Sequence, residues 1–212
     1  MHSTIAYTIP KEYYRKYNSK LVELRRLLMK KEGFNMGKAT QDLRKEHDSI
    51  LHVFKILDKM LSTDTKEDIV KLQYYNELVY FLKIFADKCH HGKEEQYFFV
   101  ELNNKGIPKD KGITAELLKE HNQGREYIDQ MNDSLESKNL KGFNSAATKY
   151  RDLMRKHIEK ENDDLFVIAD KLLDEVLQDE LFEKFEQHEE SVIGHGVHEK
   201  LHSMIHKWAE AF

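Results

Sequence analysis

Four stretches of this sequence repeat apolar residues at the three- and four-residue spacing of an amphipathic helix, and each carries a histidine on that same stripe. The stripes are Leu43, His47, Ile50, Leu51, Phe54, Leu57 and Leu61; Leu78, Leu82, Ala86, His90, Glu94, Tyr97 and Phe98; Leu117, Leu118, His121, Ile128, Met131 and Leu135; and Tyr150, Leu153, Met154, His157, Glu161, Leu165 and Ile168. An imidazole or carboxylate buried without a partner is costly. Four in-phase histidines therefore require an interior in which the polar groups of different helices meet.

The periodicity predicts helices over about 41–61, with Thr40 as N-cap, over 68–102, from 114 onward and after Gly142. Breaks fall at 62–66 and around Pro108. Short connections favour antiparallel neighbours, so the expected fold is all-α, an up-down antiparallel four-helix bundle. The composition suits this, with 40% hydrophobic residues, 34% charged residues and two prolines. The two halves also repeat: LRKEH at 43–47 returns as LLKEH at 117–121, and Phe-Val at 99–100 returns at 166–167, the pattern of a duplicated helical hairpin. Outside the repeat, Pro10 opens a helical stretch through Tyr13, Tyr17, Leu21, Leu24 and Leu28, and 177–212 forms a charged helical tail divided at Gly194 and Gly196. The expected division is an N-terminal helical extension over 1–39, the bundle over 40–175 and a C-terminal helical extension over 176–212.

Residues four apart lie on one helix face, so His90 with Glu94 and His157 with Glu161 each present a nitrogen and a carboxylate to one point. With His47 and His121 they give four imidazoles, two carboxylates and no thiolate. That donor set suits iron or manganese and excludes a cysteine zinc finger or an iron–sulfur cluster. Six ligands spread symmetrically over two hairpins point to two metals, each with a pair of histidines and with both carboxylates bridging. Ferritin-like bundles use two E-x-x-H motifs, a spacing found here only at Glu199 to His202.

Thirty-four basic against thirty-eight acidic residues give a net charge of -4, which lacks the basic excess that binding a phosphate backbone needs. Nucleic acid is not an expected partner. Cys89 is the single cysteine, so no internal disulfide can form, and no stretch approaches the roughly 20 apolar residues that span a bilayer. The chain is expected to be soluble and cytoplasmic, with no membrane partner.

The order single His, H-x-x-x-E, single His, H-x-x-x-E over 40–175, together with CHHGKEEQYFF and KHIEKENDDLF, resembles the hemerythrin-like (HHE cation-binding) family. The resemblance implies a non-haem di-iron centre with carboxylate and oxo or hydroxo bridges, held by His47, His90, Glu94, His121, His157 and Glu161, with manganese or zinc as possible substitutes. It implies O2 or NO as the small ligand, in sensing, binding or detoxification. Iron-centre repair or iron donation, an enzyme reacting with NO or peroxide, and iron storage are the alternatives. Oxygen-carrying members have H-x-x-x-H on the third bundle helix and H-x-x-x-x-D on the fourth. Here His121 is followed one turn later by Arg125, and His157 pairs with Glu161. One imidazole is then missing, which is closer to the four-His, two-Glu subgroup and weakens simple oxygen carriage.

Several neighbours bear on the site. His91 is turned about 100° from His90 on an α-helix, so it is expected beside the ligands or exposed. Gly92 and Gly124, inside helices, suggest either space for a small ligand or close helix approach. Tyr97, Tyr127 and Tyr150 can reach the core, where a phenol could replace an imidazole or donate a hydrogen bond, while Arg125 is expected to extend outward. HEKLH at 198–202 matches the zinc-protease H-E-x-x-H, but its helix carries Val197, Leu201, Met204 and Trp208 as a packing stripe and only ten residues follow.

Overall fold

A computed structural model describes residues 36–63, 68–194 and 197–212. The stretch from Pro10 to Leu28 and His195 lie outside the described residues, as do the side chains of His198, Glu199 and His202. Every regular element among the described residues is helical. The first is α1, Lys38–Ser62. A second long rod runs as α2 (Asp68–Phe81), π-helical turns over Leu82–His91 and Glu94–Phe98, and α3 (Phe99–Asn104). Its backbone stays right-handed helical at Phe81, Gly92, Lys93, Phe98 and Phe99, so the rod is continuous. Next come α4 (Gly112–Glu136) and a fourth rod of α5 (Leu140–Lys160), a π-helical turn at Glu161–Leu165 and α6 (Phe166–Leu172). Two further helices follow, α7 (Glu175–Val192) and α8 (Val197–Ala211).

Cross-helix pairs give the bundle its directions. Lys160 meets Glu116 and Glu120 while Gly124 faces Met154, so α4 and α5 run antiparallel. Arg151 and Arg155 reach Asp58 while Arg44 reaches Asn162, so α1 opposes α5. Lys93 bonds Asp42 while His90 bonds Glu46, and Asp87 pairs with Arg125 while Phe99 lies beside His121. The long rod therefore opposes both α1 and α4, and the four-helix bundle is antiparallel throughout.

Helix α1 begins at Lys38 with Gly37 as N-cap, earlier than the expected Thr40. Thr40 lies inside the first turn, where its Oγ1 donates to Gly37 O at 2.9 Å and to Asp170 Oδ1 at 2.5 Å. A Cβ at Gly37 would lie 1.9 Å from the Gln178 amide carbon, so the absent side chain leaves the space that the Gln178 amide fills. Asp174 caps α7 through Leu177 N at 3.0 Å, and Asn139 caps α5 through Gly142 N at 2.9 Å.

The interior is two apolar clusters with a polar layer between them. One contains Phe54, Leu57, Leu82, Met131, Phe143 and Trp208; the other contains Leu43, Phe98, Phe99, Leu117, Phe166 and Phe185. Along α1 the layer falls between Leu43 and Ile50, along the rod between Cys89 and Phe98, and along α4 between Leu117 and Ile128. The tail helices belong to the same compact unit, which spans Gly37–Phe212. Trp208 is fully buried, donates from Nε1 to Glu77 Oε2 at 2.8 Å and meets Phe81 edge-on. Among the described residues no helix is long and apolar enough to cross a membrane.

Candidate metal centre

The polar layer consists of His47, His90, His91, Glu94, His121, His157 and Glu161, all buried. Their donor atoms form two overlapping groups, each spanning no more than 4.8 Å: His47, His90, Glu94 and Glu161, and His91, Glu94, His121 and His157. The carboxylates stand between the rings. Glu161 Oε2 lies 3.2 Å from both His47 Nε2 and His157 Nε2, while Glu94 is 3.7 Å from His90 Nε2 and 3.5 Å from His121 Nε2.

All six residues expected from the sequence thus meet in one layer, and a seventh, His91, joins them. Its ring stacks on His121 with centroids 3.9 Å apart and lies 5.6 Å from that of His90. The expectation of a 100° divergence assumed an α-helix. In the π-helical turns of Leu82–His91, i→i+5 bonding spreads each turn over more residues, and adjacent side chains diverge less. Both His90 and His91 then face inward. The doubled CHH at the site was the available signal.

Four of the five rings are held by their outer nitrogen. Nδ1 of His90 donates to Glu46 at 2.8 Å, that of His121 to Glu95 at 2.7 Å, that of His157 to Glu120 at 3.0 Å, and that of His47 to Asn162 Oδ1 at 3.0 Å. His91 Nδ1 lies 3.5 Å from Asp87. Because these oxygens are acceptors, Nδ1 carries the proton and Nε2 turns a lone pair to the centre, the tautomer a metal ligand needs. Cations hold the acceptors in turn: Lys93 on Glu46, Lys160 on Glu120, Arg125 on both Glu95 and Asp87, and Arg44 on Asn162. Arg125 therefore braces the site, contrary to the expected outward extension.

The internal repeat is visible here. Glu46 and Glu120 each precede a histidine by one residue, Lys93 and Lys160 each precede a glutamate by one, and Phe166 stacks on His47 as Phe99 does on His121. The symmetry breaks at one place, because His91 follows His90 where Ile158 follows His157.

Charge balance calls for a cation. Both oxygens of Glu94 and of Glu161, with Nε2 of His47 and of His90, are buried without a hydrogen-bond partner among the described residues. Burial, reinforced by the nearby Glu161 carboxylate, raises Glu94 well above the usual carboxylate range. Burial acts on Glu161 too, but His157 and His47 hold it well below that range. Burial and neighbouring imidazoles depress His90 and His121, and burial depresses His91. His157 goes the other way, up to about 9, because Glu161 and Glu120 flank it and outweigh its burial. A proton on His157 thus plays the part of a missing cation. A third group of possible ligands, Glu46, Cys89 and Glu189, already has its cation: Lys93 Nζ is 2.7 Å from Glu46, 3.0 Å from Glu189 and 3.1 Å from Asp42.

The glycines serve close approach. A Cβ at Gly92 would lie 2.5 Å from His188 Nε2, and one at Gly124 would lie 3.1 Å from Met154 Cε and 3.4 Å from Tyr150 Cε2. Neither leaves a gap beside the histidines. Tyr97 faces His188 and Phe185, and Tyr127 packs on the larger apolar cluster; Tyr150 alone of the three is fully buried, at 1% exposure.

No curated protein and no solved structure matched the chain. The family model described as the hemerythrin HHE cation binding domain matches residues 38–169, the span that holds every residue of the His/Glu layer. With the antiparallel helices and a buried donor set fit for a cation, that match places this chain in the hemerythrin HHE cation-binding family.

Proposed function

We propose that the chain holds two iron ions and binds O2 or NO between its helices. The observation that carries this reading is the overlap of two donor groups that share Glu94, with Glu161 touching rings from both. His47 and His90 would serve one ion and His91, His121 and His157 the other, with Glu94 and Glu161 reaching both. Imidazole and carboxylate donors suit iron, which supplies reversible electron transfer to O2 or NO. Manganese or zinc would satisfy the same charges without that property.

The broken symmetry gives the two positions different roles. His91 adds a third imidazole to the group of His121 and His157, while Ile158 fills the equivalent position of the sequence repeat, so the group of His47 and His90 gains none. The two-imidazole position therefore has fewer protein donors and is the one left for an external ligand. Complete burial of the donors favours keeping the metal over donating or storing it. The experiment is anaerobic purification and metal analysis, followed by optical spectra before and after O2 or NO. Two irons per chain and a ligand-dependent spectrum are expected. Zinc at full occupancy after growth in iron-replete medium, or two irons inert to both gases, would overturn the proposal.

A further inference from the structure

A small cavity of about 10 Å³ adjoins the His/Glu layer, lined by His90, His91 and His157 together with Met154, Ile158 and Tyr150. It is about the size of one water molecule. Apart from the imidazoles, the one polar side chain lining it is Tyr150. The Tyr150 hydroxyl is sealed from solvent and has no hydrogen-bond partner among the described residues.

An unmade hydrogen bond on a buried hydroxyl is costly, and phenylalanine would fill the same apolar space without that cost. The ring itself is well supported. Phe54 meets it edge-on with centroids 5.9 Å apart, and the missing side chain of Gly124 gives it room. Packing therefore explains the ring and leaves the oxygen unexplained. The cavity is lined by His90 of the two-imidazole group and by His91 and His157 of the three-imidazole group, so it borders both positions of the centre.

We infer that the Tyr150 hydroxyl donates a hydrogen bond to the diatomic ligand bound at the centre, and so sets how long that ligand stays. This rests on the proposal that the centre takes O2 or NO. A phenol in this place has two chemical options, to donate as O–H or to bind metal as phenolate. Burial, with the charge of Asp87, pushes its ionisation above the ordinary tyrosine range, which keeps the proton on the oxygen. Tyr150 is thus a positioning residue for the ligand and adds no donor to the metal.

The test compares wild type with Tyr150→Phe, both loaded with iron and reduced anaerobically. NO is added, its vibrational frequency is recorded in H2O and D2O, and its dissociation rate is measured by stopped flow with a trap. In wild type the frequency should shift in D2O. In Tyr150→Phe that shift should be lost and dissociation should quicken by roughly tenfold, the scale of one hydrogen bond. Before NO is added, the variant should melt no lower than wild type, since the hydroxyl has no partner to lose; a purely structural hydroxyl would lower it. Tyr150→Leu, which also removes the hydroxyl, serves as the second variant and should show the same faster release. An unchanged rate and a retained shift in the variants would overturn the inference while leaving NO binding intact. A phenolate-to-iron charge-transfer band in oxidised wild type, absent from Tyr150→Phe, would overturn it in favour of ligation. Failure of iron-loaded wild type to bind either gas would overturn the functional proposal and this inference with it.

Discussion

The imidazole of His91 lies parallel to that of His121, ring centroids 3.9 Å apart and planes tilted by 15°. Two rings from different helices meet this closely in a layer that also contains Glu94 and His157. Packing alone gives little reason to stack two polar rings beside a carboxylate, whereas a shared cation does. Replacing His91 by alanine is expected to cut bound metal from two equivalents per chain toward one, as His121→Ala should. Exposed His206→Ala should leave it at two. Elemental analysis of the purified variants decides this, and full metal content in His91→Ala would show that the ring only packs.

How far the sequence revealed this site depends on what periodicity can carry. His47, His90, Glu94, His121, His157 and Glu161 were legible because each falls on a stripe whose period is that of an α-helix. His91 was not, because its orientation depends on the π-helical turns around it, and hydrogen-bond register leaves no mark in hydropathy. The antiparallel bundle followed from helix lengths and short connections. The tail did not: its amphipathic pattern predicts helices, but nothing in it tells that Gln178 and Glu189 reach Gly37, Thr40 and Lys93. Gly92 and Gly124 stand out in the sequence as glycines inside helices, and only the neighbouring side chains show what fills the space.

Lys93 is completely buried and ion-pairs with three carboxylates at once. Its ammonium loses hydration, yet Glu46 and Asp42 more than offset this and raise it above its ordinary value. Lys93→Met should therefore destabilise the fold by about 3–5 kcal/mol, the scale of a broken buried ion pair. Adding Glu46→Gln should recover part of the loss by removing one of the stranded charges. Urea denaturation of both variants checks this, and a Lys93→Met protein as stable as wild type would refute the expectation.

Gly92→Ala sets two effects against each other. Alanine favours a helix over glycine by about 1 kcal/mol. The new methyl, however, would meet His188 Nε2 at 2.5 Å, and that nitrogen is tied by its hydrogen bond to Lys88 O at 2.9 Å. Overpacking on this scale costs about 1–3 kcal/mol, so net destabilisation is expected. In a His188→Ala background the same change should become stabilising. A double-mutant cycle in urea measures the sign, and stabilisation by Gly92→Ala alone would contradict the close contact.

The metal-free protein should be most stable near pH 6.5. His90, His91 and His121 sit below their ordinary value of 6.5, so below that pH the unfolded chain takes up protons the folded one refuses, and stability falls as pH drops. His157 has the opposite sign. The folded chain keeps its proton up to about 9, so that contribution is present below 6.5 and fades as pH rises from 6.5 to 9. Glu94, raised above 4.5, also loses its contribution as pH rises. Melting temperatures of chelator-treated protein across this range should form a dome, and metal should remove its alkaline side by replacing the proton. Increasing stability from pH 7 to 9 without metal would contradict this.

The outward tether on four of the five rings also governs time. An ion at this layer would be enclosed by donors with almost no exposed surface, and His47, His90, His121 and His157 are each pinned from behind by a carboxylate or amide that a lysine or arginine holds in turn. None of those four rings can swing aside without breaking its own hydrogen bond. Exchange must wait for a cooperative opening of the helices, so its rate belongs to the same clock as hydrogen exchange of the amides around residues 90–94 and 157–161. A metal held here would be taken up while the chain folds and kept for as long as the bundle stays closed.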